Sequence, residues 1–182
     1  MKINLTILAL LGALAVSGCE SNDFARRLLK RKPTAEEASG TYVLAVVNVD
    51  QVEAGLSQKI TTQQPPPTIE LKADGTAEVH DFPMFSDSGN YNYRFAGFTS
   101  FKAGWRILPV GNVSSDGNSA DVFGITMDST DSADTKQKLE ALSFTGKSTP
   151  DGLVFTLYDG SQGQILEFAK QATEAAPTAE QK

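Results

Sequence analysis

The tightest constraint on what this chain can fold into is the stretch Ile69 to Phe82. Ile69 and Leu71 alternate with Glu70 and Lys72. After Asp74-Gly75, Ala77 and Val79 alternate with Glu78 and His80. Successive side chains of a strand point to opposite faces, so this is two strands with one apolar and one polar face each, joined by a turn. The register follows from the faces. A two-residue loop would set Leu71 against Glu78. A three-residue loop, Ala73-Asp74-Gly75, sets Leu71 against Ala77 and Ile69 against Val79, keeping one face apolar. Gly75 then takes the left-handed position that such loops require. The cost is Glu70 opposite Glu78 on the wet face.

The same alternation continues to Lys170. Tyr42 to Val49 is rich in β-branched residues and apolar on both faces, which predicts a well-covered strand. Asp50 to Lys59 reads as one short helix or a loop, and the prolines ending Thr61 to Pro67 exclude a central strand there. Pro83 to Asn90 reads as a loop. Tyr91, Tyr93 and Phe95 share a face of the next strand, against Asn92 and Arg94. A separate strand is expected from Trp105 to Val110 after Gly104. Asp116-Gly117-Asn118 turns into a strand with Phe123, Ile125 and Met127 on one face, and Asp128 to Asp134 is a further turn. Leu142 and Phe144 share a face, as do Leu153, Phe155 and Leu157 after Pro150-Asp151-Gly152, and Ile165 to Lys170 is the last strand. Eight or nine strands with regular turns and little helix are the pattern of an antiparallel barrel or a sandwich. Gln171 to Lys182, an Ala, Glu, Thr and Pro tail, reads as disordered.

The arrangement over residues 39–170 resembles the small lipocalin-like, or calycin-like, barrels. The residues behind this are Gly40-Thr41-Tyr42, with tyrosine where the lipocalin opening has tryptophan, the hairpin Leu71-Lys72-Ala73-Asp74-Gly75-Thr76, and Gly104-Trp105. The resemblance implies an all-β, antiparallel, eight- to nine-stranded barrel with a small apolar cavity. It implies no particular ligand.

Ahead of the body, Lys2 precedes Ile3 to Val16, whose only polar side chains are Asn4 and Thr6. As a helix these 14 residues span about 21 Å, short of the roughly 30 Å hydrocarbon core. The run therefore reads as a signal segment instead of a permanent span. It ends in Val16-Ser17-Gly18-Cys19, which resembles the lipobox of bacterial lipoproteins and holds the one cysteine of the chain. By that resemblance residues 1–18 are a signal peptide and Cys19 is lipidated, with acyl chains fixing the protein to a membrane. Glu20 in place of aspartate favours the outer membrane, periplasmic face. The alternatives are an ordinary secretory signal with Cys19 unmodified, and an uncleaved anchor. Residues 19–38 then form the lipidated cysteine and a flexible tether. Within it, Phe24 and Leu28 stand four apart among Arg26, Arg27, Lys30, Arg31 and Lys32. This is either a frayed, solvated turn, the reading favoured here because so short a helix is unstable alone, or an amphipathic turn lying on the bilayer.

Charge narrows the function. Without Lys2 the mature chain carries 15 Lys and Arg against 22 Asp and Glu. From Ser39 onward the balance is 10 to 18, which argues against nucleic acid as a partner. Catalysis has little to build on. His80 is the single histidine, and its neighbours Asp81 and Ser86 form no known triad motif. One histidine and one committed cysteine leave only carboxylates for a metal. Asp128, Asp131 and Asp134 lack the alternate ligand spacing of a calcium loop, and the twelfth position from Asp128 is Leu139. We expect no enzyme, no cofactor and no metal. Tyr91, Tyr93, Phe95, Phe98 and Trp105 are core residues or candidate pocket-lining residues. The expectation is a membrane-anchored, periplasmic binding or envelope-maintenance module for a small apolar ligand. The alternative is a protein-interaction module with a filled barrel.

Overall fold

In a computed structural model, the structure describes residues 23–87, 93–115, 118–129, 138–157 and 163–172. Eight antiparallel strands pair in chain order and close on themselves: β1 (Gly40–Asn48), β2 (Thr68–Leu71), β3 (Thr76–Asp87), β4 (Tyr93–Ser115), β5 (Asn118–Ser129), β6 (Lys138–Thr145), β7 (Gly152–Thr156) and β8 (Ile165–Lys170). β1 meets β8 to complete the barrel, with Tyr42 opposite Lys170 and Leu44 opposite Phe168. The all-β antiparallel barrel is therefore the architecture, with eight strands. Closure gives every strand two neighbours.

The β2–β3 hairpin takes the three-residue register. Ile69 faces Val79, Glu70 faces Glu78 and Leu71 faces Ala77. Gly75 is left-handed at φ 88, and Lys72 and Thr76 bracket the loop through a backbone hydrogen bond of 2.9 Å. The like charges at Glu70 and Glu78 are relieved by Lys72, whose ammonium lies 2.7 Å from the Glu78 carboxylate.

Two strand boundaries differ from expectation. β3 runs on through Pro83 to Asp87, where the sequence predicted a loop from Pro83 to Asn90. The last β2 pairing is Thr68 with His80, so beyond that point β3 has a partner on one side alone. A proline lacks an N–H to give and is tolerated on such an edge. The expected separate strands around Tyr93 and Trp105 are one strand, β4. It pairs with β3 over Tyr93–Gly104 and with β5 over Ala103–Ser115. Gly104 is not among the left-handed glycines, and the inward alternation Phe101, Ala103, Trp105 passes straight through it.

The interior is packed. Tyr42, Ile69, Ile125, Met127, Leu142, Phe144, Leu153, Leu166 and Phe168 are at 0% exposure, and Phe82, Val79 and Ala77 at 1%. Such values leave no water-sized gap against those side chains. Phe82 stacks on Phe168 with ring centres 5.6 Å apart and meets Phe155 edge-on at 5.8 Å.

The main surprise is the segment before the barrel, expected to be a flexible tether. Its described part, residues 23–38, is built into the structure. A short helix, α1 (Asp23–Arg27), leads to Leu28 and Leu29. The amide of Leu29 donates to the carbonyl of Phe144, the amide of Phe123 donates to the carbonyl of Leu29, and the amide of Gly146 donates to the carbonyl of Arg27. Leu28 forms a β-bridge with Thr145. The β5–β6 ladder reaches Gly124 and Ser143 and stops, and residues 27–29 fill the next rung between these two strands. Leu29 at 0% exposure joins the main core, and Leu28 joins a second cluster with Val122 and Val154. Phe24 packs against that same cluster, so the Phe24 and Leu28 face is covered by the barrel and not by a bilayer. The helix α2 (Ala35–Ala38) follows, with a reciprocal cap between Thr34 and Glu37. Tyr42 reaches it by donating its hydroxyl to the Ala38 carbonyl at 2.7 Å. This strap closes one end of the barrel. The third helix, α3 (Leu56–Thr61), buries Leu56 and Ile60 in the main core at the other end.

Candidate functional site

Two surface regions are positioned by this architecture, one at each end. The first is an aromatic rim at the α3 end. Bulges between Val79 and Phe82 and between Met84 and Phe85 bend the free end of the β3–β4 hairpin, helped by left-handed Asp81 at φ 51 and Gly97 at φ 112. The bend carries a relay of rings outward from the core. Phe155 contacts Phe85 at 6.4 Å, Phe85 meets Phe95 edge-on at 6.1 Å, and Phe95 meets Phe98 edge-on at 5.3 Å. Phe82 and Phe168 at the inner end are buried, whereas Phe85, Tyr93, Phe95 and Phe98 are half-buried. The Lys59 ammonium from α3 lies 4.7 Å from the centre of the Phe95 ring, within cation–π range. The rim thus offers ring edges and faces beside an exposed cation.

The second region lies at the strap end. It is a surface pocket of about 330 Å³ lined by Lys32, Pro33, Thr34, Ala35, Gly75, Trp105, Arg106 and Ile107. Trp105 is 7% exposed and donates its indole N–H to the Lys72 carbonyl at 2.9 Å. The ring is therefore fixed from behind while one edge reaches the pocket.

Of the residues singled out in the sequence as pocket-lining, Tyr93 and Phe95 share the rim. Trp105 does not join them. Ten residues along an extended strand put it roughly 33 Å of chain away, in the pocket at the strap end. Tyr91 and the lipidation candidate Cys19 lie outside the described residues. His80 is exposed, opposite Thr68 on the wet face. Among the described residues, no group of three His, Cys, Asp or Glu side chains is placed to share a metal ion. Sequence reasoning missed Phe85, because Pro83 marked its neighbourhood as loop. It also missed Lys32 and Arg106, which come together only through the strap.

Electrostatics at the strap end centre on Glu37. The Arg31 guanidinium bonds both of its carboxylate oxygens, at 2.6 and 2.9 Å, and the Thr34 backbone N–H gives a further bond of 2.9 Å. Hydrogen bonding from Arg31, then from Thr34, holds this carboxyl at about 2. Its ordinary value is 4.5, so the folded form favours the charged state. The resulting stability is fully present above the ordinary carboxylate range and is lost as pH falls through it toward about 2. Thermal melting at descending pH should therefore show a loss in the parent that is smaller in Glu37→Gln. Parallel pH profiles would remove Glu37 as the cause. Nearby, burial pushes the Tyr42 phenol well above its usual value, and burial lowers the Lys170 ammonium. Lys170 lies 5.7 Å from the centre of the Tyr42 ring and also bonds the Glu37 carbonyl.

Comparison of the chain with protein-family models, with curated proteins and with solved structures finds no match.

Proposed function

We propose that this chain is a bacterial lipoprotein, held by acyl chains on Cys19 in the outer membrane and facing the periplasm. It acts without catalysis as a binding module of the envelope. The barrel is compatible with a lipocalin-like fold, and the observation that carries the binding reading is the aromatic rim. Phe85, Phe95 and Phe98 are half-buried rings continuous with a buried aromatic core, so an apolar group laid on them extends a surface that is already desolvated beneath. The ligand contact is at the rim because the buried core side chains are closely packed. That same packing supports a second reading, a protein-interaction module that presents the rim to an envelope protein and takes no small molecule.

The anchor reading rests on the Val16-Ser17-Gly18-Cys19 stretch. Two or three acyl chains exceed the marginal anchoring of one chain, so the full chain should stay with membranes through a high-salt wash. Cys19→Ala should move it to the soluble fraction. Intact mass of the membrane extract should show acyl adducts, and native spectra should show any co-purified apolar ligand. Unchanged sedimentation of Cys19→Ala, with no adduct on the parent, would overturn the anchor. A ligand-free native spectrum, with an envelope protein cross-linked at Phe95, would favour the second reading.

A further inference from the structure

We propose that the strap end of the barrel is a membrane-docking face, which stands on the anionic headgroups of the bilayer that anchors the chain. This deepens the lipoprotein reading and rests on it for the identity of that bilayer. The first observation is length. The described chain begins at Asp23, already in α1, and α1 leads directly into the rungs that Arg27 and Leu29 make with β5 and β6. Asp23 is four chain steps from Cys19, with three residues between them, an extended reach of roughly 14 Å at most. A free 19-residue tether would have reached about 65 Å. An acylated Cys19 therefore keeps this end within about one to two Debye lengths of the headgroups at physiological salt.

The second observation is charge. The whole chain is at −6, yet exposed cations gather at this end. Arg26, Arg27, Lys30, Arg31 and Lys32 come from the strap. Lys147 comes from the β6–β7 turn, to which Arg31 is tied by its bond to the Ser148 carbonyl. Two of the local acids are ion-paired, and a third is hydrogen-bonded to a neutral group. Glu167 pairs with Arg27, Glu37 pairs with Arg31, and Asp151 accepts a hydrogen bond from the Thr145 hydroxyl. Glu36, Asp74 and Asp151 are exposed and remain as opposing charges. Among the described residues, Lys30, Lys32 and Lys147 form no ion pair. They are left to face an external anion.

The third observation is the pocket beside them. Lys32 stands on its lining next to Trp105 and Ile107, so cationic and apolar surface are adjacent, while Arg106 on the same lining is paired with Asp128 at 3.3 Å. That adjacency suits a phospholipid at the interface, with its phosphate on the cation and its glycerol and first methylenes on the ring. The aromatic rim, at the opposite end of the barrel, then points away from the membrane and is open to its partner.

The test separates docking from acylation. Residues 20–182, which retain every described residue and lack Cys19, are mixed with vesicles of phosphatidylcholine alone or with added phosphatidylglycerol. Co-sedimentation should require phosphatidylglycerol and should fall as salt rises. Each basic residue near such a surface is worth about fivefold in binding, so Lys30→Gln/Lys32→Gln/Lys147→Gln should bind about 100-fold more weakly. Its melting temperature should be unchanged, because all three side chains are exposed. Arg94→Gln, which removes an exposed cation at the other end, should bind like the parent. Free glycerol phosphate should compete poorly, since the apolar contact and the multivalent surface are missing; full competition would reassign the site to a soluble phosphate. Equal binding to both vesicle types, or a triple variant that binds like the parent, would overturn the docking face. A missing acyl adduct on the full chain would overturn the anchor and leave this result standing.

Discussion

Leu29→Ala should lower the unfolding free energy by about 2–5 kcal/mol, the cost of truncating a fully buried leucine. A free tether would predict no change at all. Leu29 is at 0% exposure in the main core, between the ends of β5 and β6, and its amide and carbonyl complete the rung that these strands leave open. Its truncation leaves a cavity in a wall that is hydrogen-bonded on both sides and cannot easily collapse. Domains of this kind are stable by roughly 5–15 kcal/mol, so the variant loses a large share of the total. The neighbouring Lys30→Ala, with an exposed side chain, should stay within about 0.5 kcal/mol. Urea midpoints for the two variants decide the matter. Similar midpoints would return residues 27–29 to the solvent.

Phe82→Ala is the second large effect, at about 3–5 kcal/mol. The ring stacks on Phe168 with planes only 4° apart and meets Phe155 at 78°, so its removal unsupports two partners at once. Phe95→Ala should cost clearly less, because that ring is half-buried and its neighbours Phe85 and Phe98 stand on the rim. Arg94→Ala, on the outward face of the same strand, should cost less than about 0.5 kcal/mol. The predicted order is Phe82, then Phe95, then Arg94. An order with Phe95 first would mean that the relay of rings is anchored at the rim and not in the barrel.

How much of this was legible in the sequence varies from element to element. The β2–β3 register was legible to the residue, because a single slip would have put Glu78 against Leu71 and turned every side chain over. The inward faces of Leu142 with Phe144, and of Ile125 with Met127, followed from period two in the same way. Phe82 illustrates where local reading stops. Pro83 is a strand breaker in a sheet interior, and nothing local says that β3 has become an edge by that point. Leu28-Leu29 illustrates a larger gap. Two leucines between basic residues have no periodicity, and the strand behaviour of the pair is imposed by Phe123, Phe144 and Thr145 from far along the chain. A segment that completes another pair's ladder borrows its pattern from that pair. The candidate sites divide similarly. Tyr93 and Phe95 could be read as sharing a face, but the roughly 33 Å of strand between Phe95 and Trp105 became visible only once β4 was seen to be continuous.

The docking of residues 27–38 matters most, because it closes one end of the barrel and forms the face proposed to dock on the membrane. Native-state hydrogen exchange at the amides of Leu29 and Phe123 tests it most directly. Both bonds, of 2.9 and 3.0 Å, involve Leu29 backbone atoms and exist only if the strap is in place. Protection at Leu29 and Phe123 should be of the same order as at Ile125 and Leu142 in the adjoining ladder, lost together in one cooperative opening. Exchange at Leu29 at the rate of an unstructured chain, with Ile125 still protected, would contradict it.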